Sequence, residues 1–286
     1  MNQETLIAQL KALVVQTSTR LPDDVRWALQ EAFDHADDGS PESSTLKTIL
    51  KNIRLAAECR QPICQDTGAL LFRIRAPEGI SHRLVEQCAR AAVAQATAEG
   101  ILRQNCVETL TGHNTGNNLG EGLPVFHWLE EDRDDLEVSL LLKGGGSENM
   151  GIQYSLPDKA LGAGRDLEGV RRCVLDAIYR AQGKACSPCI VGVCVGGDRA
   201  TGYETSKEQL FCHLGERNPE PALAELETRL VAEANSLGIG PMGLGGKTTV
   251  LEVFLATRCR IPASYFVSIS VMCWCCRRQT CTIPLK

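Results

Sequence analysis

Apolar residues at Leu6, Leu10, Leu13 and Val14, and again at Val25, Leu29 and Phe33, recur every three or four positions, the spacing that gathers side chains on one face of a helix. Ser43-Ser44-Thr45 offers hydroxyl caps for a third helix running to about Glu58. Beyond this helical segment the period changes. Strands are expected at Ala69 to Arg75, Val125 to Leu129 and Leu136 to Leu142, with apolar runs at Ile190 to Val195 and Val267 to Met272. Between them, helices are expected at Ser81 to Glu99 (closed by Gly100), Leu167 to Gln182, Thr205 to Leu214 and Pro219 to Leu237 (closed by Gly238). No repeat, low-complexity tract or long linker interrupts the pattern. The expected fold class is α/β (mixed α+β). A helical N-terminal segment, residues 1–60, would be continuous with one irregular body, residues 61–286, whose alternation is too uneven for a doubly wound sheet.

The composition, 43% hydrophobic and 23% charged over 286 residues, is that of an ordinary globular chain. A net charge of −5 and a pI near 5.6 argue against a general nucleic-acid or membrane-surface binder. No run approaches the ~18 apolar residues of a membrane span. The start Met1-Asn2-Gln3-Glu4 lacks the basic and apolar stretches of a secretory signal, so a cytoplasmic location is expected. Fourteen cysteines change this picture. In a reducing compartment they are packed thiols, metal ligands or redox groups rather than disulfides. Cys59, Cys88, Cys173 and Cys212 lie in helical patterns and read as small hydrophobes.

Three cysteines stand beside glycine, proline or tryptophan in loop-like settings: Cys64 in Cys64-Gln-Asp-Thr-Gly68, Cys186 in Ala185-Cys186-Ser-Pro188, and Cys273 in Met272-Cys273-Trp274. They are too far apart in sequence for a ferredoxin run or a zinc ribbon. Three such thiolates can meet on one cubane cluster and leave one iron open as a Lewis acid; taken singly, each fits packing equally well. Cys186-Ser-Pro-Cys189 has the C-x-x-C spelling, but it precedes a strand instead of opening a helix, which argues against a thioredoxin-like role. Cys189 and Cys194 then fall inside that strand. Gly238-Ile-Gly-Pro-Met-Gly243 spells a dinucleotide fingerprint after a helix rather than a strand, and Gly246-Lys-Thr248 resembles the end of a P-loop without its first glycine. An anion-holding backbone turn stays open there. Lys143-Gly-Gly-Gly-Ser-Glu-Asn149 is a second glycine-rich loop, and its three glycines suggest close approach of the backbone to another group.

Together these segments resemble the N-terminal, cluster-binding part of class I fumarate hydratases and the related L(+)-tartrate dehydratases. The resemblance is carried by Cys64-Gln-Asp-Thr-Gly68, Arg103-Gln-Asn105, Asn114-Thr-Gly116, Lys143 to Asn149 and Ala185-Cys186-x-Pro188 with Val191-Gly192 and Gly196-Gly197. Gly238 to Thr248 and Cys273-Trp274 before Arg277 follow in the same order. It implies a [4Fe–4S] cluster on Cys64, Cys186 and Cys273, with one open iron. It also implies substrate contacts from Gln65 and Asp66, the latter in proton transfer, a carboxylate partner in Arg103, and anion-holding N–H groups at Gly145 and Gly146. The chain resembles the alpha subunit of two-subunit forms, which implies a beta subunit that completes the site, an alpha–alpha contact and a heterotetramer.

The implied activity is hydro-lyase chemistry on a small dicarboxylic acid: fumarate/L-malate first, with L(+)-tartrate dehydratase or mesaconase as the alternative. Readings from other classes are a non-catalytic metal-binding scaffold and a nucleotide-binding protein that uses Gly238 to Thr248. Three departures from the family pattern stand out. Ser187 replaces a proline, Ile261 stands where many members carry histidine, and Thr280 to Lys286 is unlike the usual extension.

Overall fold

In the computed structural model, which describes residues 2–285, Asn2 opens the first helix by accepting the Glu4 N–H on its side chain at 3.1 Å. Helices α1 (Gln3–Thr19), α2 (Asp23–Asp34) and α3 (Pro41–Cys59) come first, then β1 (Ala69–Ala76), α4 (His82–Ala98), β2 (Val125–Glu130) and β3 (Asp135–Lys143). A single turn α5 (Gly145–Glu148), β4 (Ile152–Ser155), α6 (Leu167–Ala181), β5 (Cys189–Gly196), α7 (Arg199–Glu208) and α8 (Pro221–Ser236) follow. The chain ends in β6 (Val250–Arg258), β7 (Phe266–Met272) and β8 (Arg277–Pro284). The mixed α/β class and the helical N-terminus are as expected from the sequence.

Backbone packing groups these elements into two compact units. One comprises Met1–Pro22, Lys51–Gly145 and Cys275–Lys286, the other Asp23–Leu50 and Gly146–Trp274. The first holds a four-stranded sheet in the order β2-β1-β3-β8, with β1 and β2 parallel and the other pairs antiparallel. Alternate residues Leu70, Phe72 and Ile74 of β1 and Leu136, Val138, Leu140 and Leu142 of β3 share a core with Leu6, Leu10 and Leu13 of α1 and Val85, Ala89, Ala92, Val93 and Ala96 of α4. Small residues on α4 let the helix lie close to α1, and Ser81 caps it.

The second unit holds the sheet β4-β7-β5-β6, in which β5 runs parallel to β6 and antiparallel to β7. Its core joins Val191, Val193 and Val195 of β5 to Val170, Val174, Ala177 and Ile178 of α6 and Leu223, Leu226 and Leu230 of α8. α7 packs on β5 through small residues: a Cβ on Gly192 would lie 2.1 Å from the Ser206 carbonyl, and the Ser206 and Ser270 hydroxyls meet at 2.7 Å. β5 is buried along its whole length, which explains its unbroken apolar run.

Several elements differ from expectation. α7 begins six residues before the expected Thr205, because Asp198 accepts the Ala200 and Thr201 N–H groups and starts the helix there. Strands β4, β6 and β8 were not foreseen. β8, with Arg277-Arg278-Gln279-Thr280 at its start, is polar in sequence and is a strand because β3 pairs with it from Asp135↔Pro284 to Leu142↔Arg277.

Candidate functional site

Within the first unit, the Cys64–Gly68 loop leads from α3 into β1. Its shape is fixed at Gly68 (φ +75°), where a Cβ would sit 2.3 Å from the Lys143 carbonyl oxygen and 2.7 Å from the Gly144 nitrogen. Only glycine lets the two backbones meet there. That contact accounts for the close approach expected of the Lys143 to Asn149 loop. Asp66 receives the result. Its Oδ1 accepts the Gly68 N–H at 2.9 Å and the Asn105 side-chain amide at 2.8 Å, and its Oδ2 accepts the Gly145 N–H at 2.6 Å. The Gly145 N–H, expected to face a substrate anion, is therefore given to Asp66.

The Arg103–Asn105 segment is built from behind. Thr67 donates its hydroxyl to the Arg103 carbonyl at 2.7 Å. Asn118, 1% exposed, donates its amide to the same carbonyl at 2.9 Å and accepts the Asn105 N–H at 2.7 Å. Asn118 has φ +61°, a left-handed conformation that asparagine tolerates better than most residues. Backbone anchorage leaves the Arg103 side chain exposed, and among the described residues it makes no hydrogen bond or ion pair. Gln65 is exposed beside it in sequence to Asp66.

Cys64 is half-buried. The Cys275 thiol hydrogen-bonds to it, the Asp66 N–H points to its sulfur at 3.4 Å, and the Arg277 guanidinium adds a positive charge. These lower its pKa to about 6 against the opposing effect of burial. Burial has the opposite outcome elsewhere, pushing Cys173 up to about 12 and both Cys194 and Cys281 up to about 11. Arg277 is 1% exposed, and its Nη2 donates to the Asp66 carbonyl at 2.7 Å. Its Nε and Nη1 are buried without a partner. Cys275, Arg277 and Asn118 escaped the sequence reading because their roles come from burial, although Arg277 did carry part of the family resemblance.

Within the second unit, Cys186 follows a 3-10 turn (Gln182–Ala185) with φ +53°, and its carbonyl accepts the Trp274 N–H at 3.2 Å. This joins the loop of Cys186 to that of Cys273, and both cysteines are half-buried. Ser187 is fully buried, and its hydroxyl donates to the Gly240 carbonyl at 2.6 Å. A proline could not make that bond, which gives the serine a purpose. The Met242 N–H donates to the Ser187 carbonyl at 2.8 Å, and a Cβ on Gly183 would lie 2.5 Å from the Met242 carbonyl. The glycine-rich loop from Gly238 is thus a brace for the Cys186 turn. Its anion-holding N–H groups are already taken: Glu42, 3% exposed, accepts from Lys247 N–H at 2.8 Å and Thr248 N–H at 2.9 Å. Lys247 pairs with Asp37 at 2.7 Å. In the alternative reading of this turn as a nucleotide site these two N–H groups would face a phosphate, and here they hold a carboxylate of the same chain. Gly146 is exposed, and Ile261 is 69% exposed beyond β6.

Within each unit, and among the described residues, no three His, Cys, Asp or Glu side chains form a group that could hold a metal ion. No described helix is long and apolar enough to cross a membrane.

Comparison with known proteins covers nearly the whole chain. The profile of the Fumarate hydratase (Fumerase) family matches residues 7–282. A Geobacillus stearothermophilus protein, provisionally named fumarate hydratase class I, is 48% identical over 278 residues, 96% of this chain and 54% of that protein. This chain therefore spans about half the length of that relative. A Methanocaldococcus jannaschii protein provisionally named L(+)-tartrate dehydratase subunit alpha is 35% identical over 93% of each chain. L(+)-tartrate dehydratase subunit alpha of Escherichia coli K12 is 34% identical over 96% of this chain and 88% of its own.

Proposed function

The chain belongs to the fumarate hydratase (Fumerase) family, and from that premise we propose that it is the alpha subunit of an iron–sulfur-dependent hydro-lyase acting on a small dicarboxylic acid. Fumarate/L-malate is the first substrate pair, and L(+)-tartrate and mesaconate are the alternatives. The observation that carries this reading is the Asp66 carboxylate, fixed by N–H donors from three segments beside Cys64, with the unpaired guanidinium of Arg103 on one of those segments.

Cys64, Cys186 and Cys273 are the cluster ligands in this reading. Their partial exposure supports it, since a ligand must be reachable, whereas Cys88, Cys106, Cys173, Cys189, Cys194, Cys275 and Cys276 are buried. The fit to an anionic group is tested by Arg277, a buried cation with two N–H groups lacking a partner. When bound, a three-thiolate cubane supplies an open iron that acts as a Lewis acid toward a hydroxyl group.

The remaining steps belong to side chains. Arg103 holds one substrate carboxylate through paired N–H donors, and the Gln65 amide orients the substrate beside it. Asp66 Oδ2 accepts one N–H and keeps a lone pair for a proton, and its fixed geometry removes the cost of positioning a base. Charge that develops on the carboxylate as the α-proton leaves is met by Arg103. A beta subunit supplies the remaining groups and closes the site against water, in a two-plus-two heterotetramer with alpha–alpha contact, located in the cytoplasm. The test is anaerobic co-expression with the candidate beta subunit, then hydratase assays on fumarate, L-tartrate and mesaconate. Turnover of one of them supports the reading, and no turnover of any by a cluster-loaded complex refutes it.

A further inference from the structure

Arg277 is the largest fully buried side chain among the described residues. A guanidinium deprived of water costs several kcal/mol unless its donors and its charge are met. Only Nη2 is met, by the Asp66 carbonyl at 2.7 Å, while Nε and Nη1 have no partner and, among the described residues, Arg277 forms no ion pair. The side chain is not free to leave. Its backbone is locked at the start of β8 opposite Leu142, and its N–H donates to the Cys275 carbonyl at 2.9 Å. The Asp66 carboxylate, turned to the N–H groups of Gly68, Asn105 and Gly145, makes no hydrogen bond or ion pair with the Arg277 guanidinium. In the same unit the Cys64 sulfur accepts the N–H of Asp66 at 3.4 Å, the residue whose carbonyl Arg277 holds. Unmet buried donors call for an acceptor that belongs to the working protein.

We propose that Arg277 is a positioning residue for the iron–sulfur cluster, directing its unpaired Nε–H and Nη1–H to sulfur of the bound group while Nη2 holds the Cys64–Asp66 backbone. This rests on the cluster reading above. A cation and N–H···S bonds stabilise the more negative oxidation level, so Arg277 raises the cluster's reduction potential. The residue thereby ties two features together: the loop that presents Asp66 and the electronic state of the group beside it.

The experiment compares anaerobically prepared wild type, Arg277→Gln and Arg277→Lys for iron and acid-labile sulfide, reduction potential, electron paramagnetic resonance spectrum and KM. The wild type is read first: a wild type without cluster refutes the functional reading itself. With the wild type loaded, Arg277→Gln is expected to shift the reduction equilibrium at least tenfold toward the oxidised form, about 59 mV for one electron. The spectrum should change and Arg277→Lys should lie between. Loss of the cluster from an Arg277→Gln chain whose cluster-free form unfolds at the wild-type urea midpoint also supports the assignment. If that variant does not fold, Arg277→Lys is read in its place. A wild-type potential and spectrum in the variant so read overturn the inference, and a raised KM beside them would reassign Arg277 to a substrate carboxylate.

Discussion

Asp66 and Arg103 are presented in opposite ways: the carboxylate is held at both oxygens, whereas the arginine is held only by its backbone and its guanidinium is free to close on an anion. Arg103→Ala is therefore expected to leave iron content and stability unchanged and to lower kcat/KM about a hundredfold, the ~2–3 kcal/mol scale of a hydrogen bond to a charged group. An unaltered KM would make Arg103 a surface charge. Cys64 gives a second prediction. With a pKa near 6 it is largely thiolate above about pH 7. In the cluster-free chain, brief alkylation followed by peptide mass spectrometry should show a Cys64 rate that levels off above pH 7. Cys194, buried and pushed up to about 11, should stay nearly unlabelled through pH 8. A Cys64 rate still climbing tenfold between pH 7 and 8 would contradict the depressed pKa.

At the scale of elements, Glu42 at the start of α3 takes the place a phosphate would have on the Lys247–Thr248 turn. Glu42→Ala strips two N–H groups of a charged acceptor and is expected to cost about 3 kcal/mol in urea unfolding, with Glu42→Gln costing less. A cost below about 0.5 kcal/mol would mean the turn holds itself. The same turn shows what could be read from sequence. Its glycines announced tight backbone, which the Gly240 position confirms at φ +66° with a would-be Cβ 2.1 Å from Gly245. Its partner lay about two hundred residues away, and no local pattern points to Glu42. α1, α4, α6 and α8 were legible because their periodicity, caps and stops are local. β8 was not, because pairing with β3 makes Arg277 and Thr280 part of a strand. In the site, Cys64 was legible from its loop setting and Asp66 from the family resemblance that Arg103-Gln-Asn105 also carries, whereas Cys275, Arg277 and Asn118 gain their contacts only through burial.

At the scale of the whole molecule, the described residues form two cores, and neither unit is a single stretch of chain. The proposed division of labour predicts that the cluster-reconstituted chain alone shows no appreciable hydratase turnover and gains it when the candidate beta subunit is added. Full activity from the isolated chain would place the entire site here. The broken layout of the first unit also bears on how the protein is made. β3 is buried from Leu136 to Lys143 apart from Glu137, yet the strand that covers its edge is residues 277–284. A ribosome that has delivered β1, β2 and β3 still has the whole of residues 146–274 to add before β8 emerges. During that interval a long, apolar strand edge waits unpaired, the kind of surface that recruits other nascent chains. Cys275 and Arg277 arrive with the same late segment, so the surroundings of Cys64 are finished only after most of the protein has been translated.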